Sequence, residues 1–171
     1  MSILITAEGF SEDVWQTLPA GDELQQALPE GARFLFPLAF WQARRAEILA
    51  RYPHVGLWLE PDAELSALFE AGDLPHFEVI AIHFPRFADG RGYSLARLLR
   101  ERGQYAGELR AVGDVLHDQL FAMRRVGFDA WVLKDGKDAQ KALSAFATFQ
   151  NPYQGDVRQA PLFRRRNGTA A

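Results

Sequence analysis

Cysteine is absent from this chain. That excludes disulfides, a cysteine nucleophile, thiolate zinc sites and cysteine-ligated iron–sulfur clusters. Long apolar runs are absent too, and none reaches the roughly 18 residues that suggest a membrane span. The opening MSILITAEGFSEDVW has no basic leading segment and soon turns acidic, unlike a secretory signal. There is no excess of one charge. The formal net charge is −3, so nothing draws the whole molecule to nucleic acid or to an anionic membrane. Histidine is scarce, and His54, His76, His83 and His117 include no pair at metal-ligand spacing on one helix. No metal site is expected. A cytoplasmic protein with no nucleic-acid or membrane partner is.

The chain has 171 residues, 48% of them hydrophobic, enough to bury one core. A single α/β domain is expected over residues 1–150. Residues 1–31 read as irregular, apart from a short strand at Ile3–Ile5 and a short helix near Leu24–Leu28. Residues 151–171 read as an irregular tail that ends in the Arg164–Arg166 run. Between them, strands are expected at Arg33–Phe36, Val55–Leu59, Phe77–Phe84, Glu108–Val112 and Ala130–Leu133. Helices fall at Phe40–Tyr52, from Asp62 to about Ala71, Tyr93–Arg102, Asp114–Arg125 and Asp138–Phe149. The strand Phe77–Phe84 (FEVIAIHF) is apolar almost throughout, as in parallel sheets covered on both faces. Alternating strands and helices predict a mainly parallel sheet of about five strands. It would be either a partial βα barrel or a doubly wound open sheet. Both gather the loops after successive strands at the carboxyl edge: Glu60, Arg86 to Ser94, Gly113 to Asp118, and Lys134-Asp135.

Two groups on that edge carry chemistry. In Arg86-Phe-Ala-Asp-Gly-Arg-Gly-Tyr-Ser94, Gly90 and Gly92 allow close backbone approach. The helix start after them offers free N–H groups. Arg86, Arg91 and Arg97 supply forked donors for phosphate, sulfate or carboxylate. With Tyr93, Ser94 and Arg110 they form the expected anion-binding set. The competing reading is a turn in which Asp89 pairs with a neighbouring arginine. The Walker lysine is missing, and Leu95 stands where a dinucleotide fingerprint needs its third glycine. The second group is Gly113-Asp114-Val-Leu-His117-Asp118. Asp114 is most simply a helix cap, but Asp89, Asp114 and His117 are also the candidate proton-transfer groups. His83, inside an apolar strand, reads as a satisfied core histidine. Ser94 lacks the Gly-x-Ser-x-Gly frame of a nucleophile elbow.

The segment FPRFADGRGYSLARLLRERGQYAGELRAVGDVLHDQLFAMRRVGFDAW, with Tyr153-Gln154, resembles a bacterial family known as domain-of-unknown-function family 934. Asp-Gly-Arg-Gly-Tyr-Ser, Gly-Glu-Leu-Arg-Ala-Val-Gly-Asp-Val and Asp-Gln-Leu carry the likeness. Members are often labelled oxidoreductases of sulfite reduction, because they are encoded beside sulfite reductase. The resemblance therefore implies an accessory protein or small subunit of assimilatory sulfite reduction, with sulfite reductase as partner. Many relatives are expected to carry cysteine before Gly-Phe-Asp, where this chain has Val126. Redox chemistry of the chain's own would need a bound flavin or nicotinamide, and the sequence shows a complete fingerprint for neither. The alternatives are a stand-alone enzyme acting on a small anionic substrate and a non-catalytic scaffold. Partial barrels and open sheets have edges that can pair, so a homodimer is compatible with this class.

Overall fold

The structure, a computed structural model, describes residues 3–6, 8–18, 31–133 and 157. The expected helices near Leu24–Leu28 and at Asp138–Phe149, the edge residues Lys134-Asp135 and the Arg164–Arg166 run lie outside the described residues.

The chain begins with three short strands, β1 (Ile3–Thr6), β2 (Gly9–Ser11) and β3 (Trp15–Thr17). Four strand–helix pairs follow. They are β4 (Arg33–Pro37) with α1 (Leu38–Arg51), β5 (Val55–Leu59) with α2 (Ser66–Ala71), β6 (Val79–Phe84) with α3 (Arg91–Glu101), and β7 (Glu108–Gly113) with α4 (Leu120–Arg125). The last described strand is β8 (Ala130–Leu133). Among the described residues the strands form one eight-stranded sheet in the order β2-β1-β8-β7-β6-β5-β4-β3. This corrects the expectation of about five. Strands β3 to β8 run parallel, whereas β1 is antiparallel to both β8 and β2. The two strands unseen in the sequence, β2 and β3, are three residues long and lie at the sheet's ends. Edge pairing forms them, and local propensity gives little sign of it.

From β3 to β8 the order across the sheet follows the order in the chain. A doubly wound sheet would reverse and carry helices on both faces. Here residues of all four described helices join one core. Trp41 and Ile48 of α1, Leu68 of α2, Leu95 and Leu99 of α3, and Leu120 and Met123 of α4 pack with Phe36, Leu57, Ile80 and Leu109 of the strands. The partial βα barrel is the alternative that holds, as a curled half-barrel with its helices outside.

The curl follows from chain connectivity. Strands β2 and β3 lie at opposite ends of the sheet, yet only Glu12, Asp13 and Val14 separate them. That link spans at most roughly 14 Å. Eight flat strands would put the outer two roughly 34 Å apart. The sheet therefore bends until its ends nearly meet, and the inner face becomes a small second core of Trp15, Leu35, Val79, Ala81 and Val112. Gly56 makes room for it. A Cβ there would lie 2.6 Å from Leu35 Cδ2 and 2.9 Å from the Trp15 indole.

Outside the sheet, Arg100 near the end of α3 binds the Tyr105 carbonyl at 2.5 Å, the Gly107 carbonyl at 2.9 Å, the Gly127 carbonyl and the Asp129 carboxylate. One guanidinium thus fixes the approaches to both β7 and β8. α2 starts at Ser66 with no side-chain cap, so Asp62 does not start it as expected.

Candidate functional site at the carboxyl rim

Side chains on alternate residues of a strand share a face. Gly56 and Trp58 of β5 therefore look inward, and Glu60 follows at the same parity just past the strand. His83 of β6 shares the inward parity of Val79 and Ala81. The rim brings three of these residues together. Trp58 Nε1 donates to Glu60 Oε1 at 2.8 Å, and His83 Nδ1 lies 2.9 Å from Glu60 Oε2. The Trp58 and His83 rings are 5.2 Å apart. Burial acts to raise the Glu60 carboxyl, but the Trp58 and His83 hydrogen bonds outweigh it and hold the group below its ordinary range. An ionised carboxylate only accepts, so Nδ1 carries the ring proton. His83 Nε2, on the far side of the ring, makes no hydrogen bond among the described residues.

Beside this cluster lies a cavity of about 520 Å³. Its walls are the ends of β3, β4 and β5 and the first turn of α1, including Thr17, Leu18, Pro37, Gln42, Trp58 and Glu60. That volume is typical of small-molecule sites.

The two groups named from the sequence also meet. The Phe87 peptide is held at both ends: its N–H donates to Asp114 Oδ2 at 3.1 Å, and its carbonyl accepts from Gln119 Nε2 at 2.6 Å. Asp114 is therefore not the expected helix cap. Its carboxylate is turned to the neighbouring loop, a short 3-10 turn occupies His117–Gln119, and α4 starts only at Leu120. His117 is exposed on that turn.

Most of the expected anion set is spent within the chain. Asp89 takes Arg91 Nε at 3.0 Å and Nη2 at 2.6 Å, and accepts the Arg91 N–H at 3.1 Å. Arg97 pairs with Glu101 one helical turn on, at 2.9 Å. Arg110 lies buried on the inner face between Asp13 and Glu108, away from the other arginines of the set. Gly92 serves packing, since a Cβ there would lie 2.5 Å from the Phe84 ring. Gly90 has an ordinary φ of −79°. Tyr93 is half-buried with its ring edge-on to Phe84 at 5.7 Å, and Ser94 is exposed on α3. Burial, with the Asp118 charge, raises the Tyr93 phenol. Arg86 differs from the rest. Its guanidinium is exposed directly after β6 and has no ion pair or hydrogen bond among the described residues.

The sequence alone sets Glu60 on the edge without making it a site residue, and reads His83 as a core histidine. The signal was parity. Trp58, Glu60 and His83 each sit an even number of residues from an inward-facing small residue, at or just past a strand's end.

Residues 56–163 match the family described as "Bacterial protein of unknown function (DUF934)". The chain belongs to this family. No curated protein and no solved structure matches it. The match covers β5 to β8, so the DUF934 segment contains Glu60, His83, the Arg86 loop and Asp114. Among the described residues, no group of three or more carboxylates and histidines could hold a metal ion, and no helix is long and apolar enough to cross a membrane.

Proposed function

We propose that this DUF934 protein is an accessory protein or small subunit of assimilatory sulfite reduction that holds a small anion at the rim of its half-barrel. The observation that carries the anion is Arg86. It is an exposed guanidinium left unpaired by the described residues, in a loop whose next residue is clamped by Asp114 and Gln119. A planar fork of N–H donors suits a sulfur oxyanion, a phosphate or a carboxylate. The pathway is supported by the likeness of the segment from Phe84 onward to proteins labelled for sulfite reduction. The chain has no cysteine with which to ligate an iron–sulfur cluster, so any such cluster would belong to the partner, sulfite reductase.

A stand-alone enzyme is the second reading, favoured by the Glu60–His83 contact at the same rim. A carboxylate that fixes an imidazole with its second nitrogen open is how a positioned proton acceptor is built.

Two measurements test the proposal. In calorimetric titration, sulfite should bind wild-type protein, and Arg86→Ala should weaken it about tenfold or more, about 1.4 kcal/mol. Equal binding by the variant would place the anion elsewhere. A deletion strain should grow on sulfide but not on sulfate as sole sulfur source. Full growth on sulfate would remove the pathway from the proposal.

A further inference from the structure

The cavity beside Trp58 differs in charge from the Arg86 loop and calls for a different ligand. Glu60 is the one charged side chain among its described lining residues. The other described lining residues are apolar apart from Thr17 and Gln42. A free anion would face that carboxylate, and no lysine or arginine stands among the described lining residues to offset it. From the described residues each Glu60 oxygen accepts one hydrogen bond, one from Trp58 and one from His83. A carboxylate has about four acceptor sites, so capacity remains for a ligand. Those two contacts also fix the carboxylate's direction before anything binds, which lowers the ordering cost of recognition. Trp58 adds the aromatic face that attracts cations most strongly.

We propose that this cavity binds a small organic cation of the pyridinium or alkylammonium type, with its charge against the Glu60 carboxylate beside the Trp58 indole and its apolar body against Leu18, Pro37 and Ala63. This site is separate from the anion site at Arg86, and neither depends on the other.

The test uses three probes with one ring and different charge: 1-methylnicotinamide (cation), nicotinamide (neutral) and nicotinate (anion). Each is titrated into the full chain while the Trp58 indole N–H resonance is followed by NMR. The cation should shift that resonance and bind about tenfold tighter than nicotinate. Glu60→Gln keeps the carbonyl acceptor and the side chain's size, and should erase the preference. Arg86→Ala should leave it unchanged, so failure of the anion reading would not imitate failure here. Nicotinate binding as tightly as the cation would overturn the proposal. So would a Trp58 resonance that none of the three probes moves, a comparison that needs only the wild-type protein.

Discussion

Arg110 and Asp13 meet across the inside of the sheet, 97 residues apart in the chain, with Arg110 Nη1 2.5 Å from the Asp13 carboxylate. The other side of the guanidinium holds Glu108 at 2.8 Å, and the Arg110 side chain is only 2% exposed. Asp13 lies in the link that carries the chain from one end of the sheet to the other. The ion pair therefore ties that link to β7 and helps keep the half-barrel curled.

Replacing Arg110 by leucine should destabilise the protein strongly. Breaking a buried ion pair by removing one partner costs about 3–5 kcal/mol. Asp13 and Glu108 remain partly solvated, at 22% and 31% exposure, so the low end applies. Asp13→Asn keeps an acceptor and should cost less. Urea unfolding of both variants gives the comparison, and an unchanged midpoint for Arg110→Leu would refute this account of the curl.

Tyr105 should resist ionisation. Burial is the main cause that raises its phenol above the ordinary range, and the nearby Arg100 charge offsets it only in part. The hydroxyl donates to the Phe77 carbonyl at 3.1 Å. A raised folded-state value favours the protonated form. Its stabilisation is present in full below the unfolded value of about 10 and is lost as pH rises through the folded one. Ultraviolet titration should show a late component from a tyrosine that ionises above the ordinary range. Tyr105→Phe should remove that tyrosine and cost about 1 kcal/mol.

The regular middle of this fold was legible because its signals are local. Val55–Leu59 and Ala130–Leu133 are apolar runs between turn residues, and both strands have the bounds the sequence predicts. Strands β2 and β3 were not legible, because Gly9–Ser11 and Trp15–Thr17 become strands only by pairing with β1 and β4. The loop at Arg86 was found from composition. Which arginine the described residues leave unpaired was not, since that depends on where Asp89, Glu101 and Asp13 fall in space. Glu60 and His83 lie 23 residues apart and meet only because β5 and β6 are neighbours. His83 looked like core because its strand is apolar, and only its inward parity tells it from Ile82.

Gly113→Ala should disturb the rim directly. Gly113 has φ of 101°, a conformation side chains rarely adopt, and an added Cβ would lie 2.4 Å from the Phe84 carbonyl oxygen and 2.8 Å from His83 Cδ2. The backbone clash and the strain should together cost more than about 1 kcal/mol. Because β7 must move away from β6, the His83 ring resonances should shift more than those of His54, which stands at the other end of the neighbouring strand. Thermal unfolding and a histidine-selective NMR spectrum test both parts, and a variant as stable as the parent would show that the rim absorbs the added methyl without a clash.

Asp89 should titrate well below the ordinary carboxylate range. The side-chain hydrogen bonds from Arg91, with the Arg91 backbone N–H, hold its carboxyl down at about 2. The folded value is depressed, so the stabilisation exists above the unfolded value of about 3.9 and is lost as pH falls from there through about 2. Carboxyl-detected NMR should give Asp89 a midpoint near 2 in the parent protein. Arg91→Gln should return it toward about 3.9. The same variant bears on the rim. If Arg91 is occupied by Asp89, removing it should leave sulfite binding at Arg86 nearly intact. A loss of binding as large as that of Arg86→Ala would mean that Arg91 leaves Asp89 and turns to the anion.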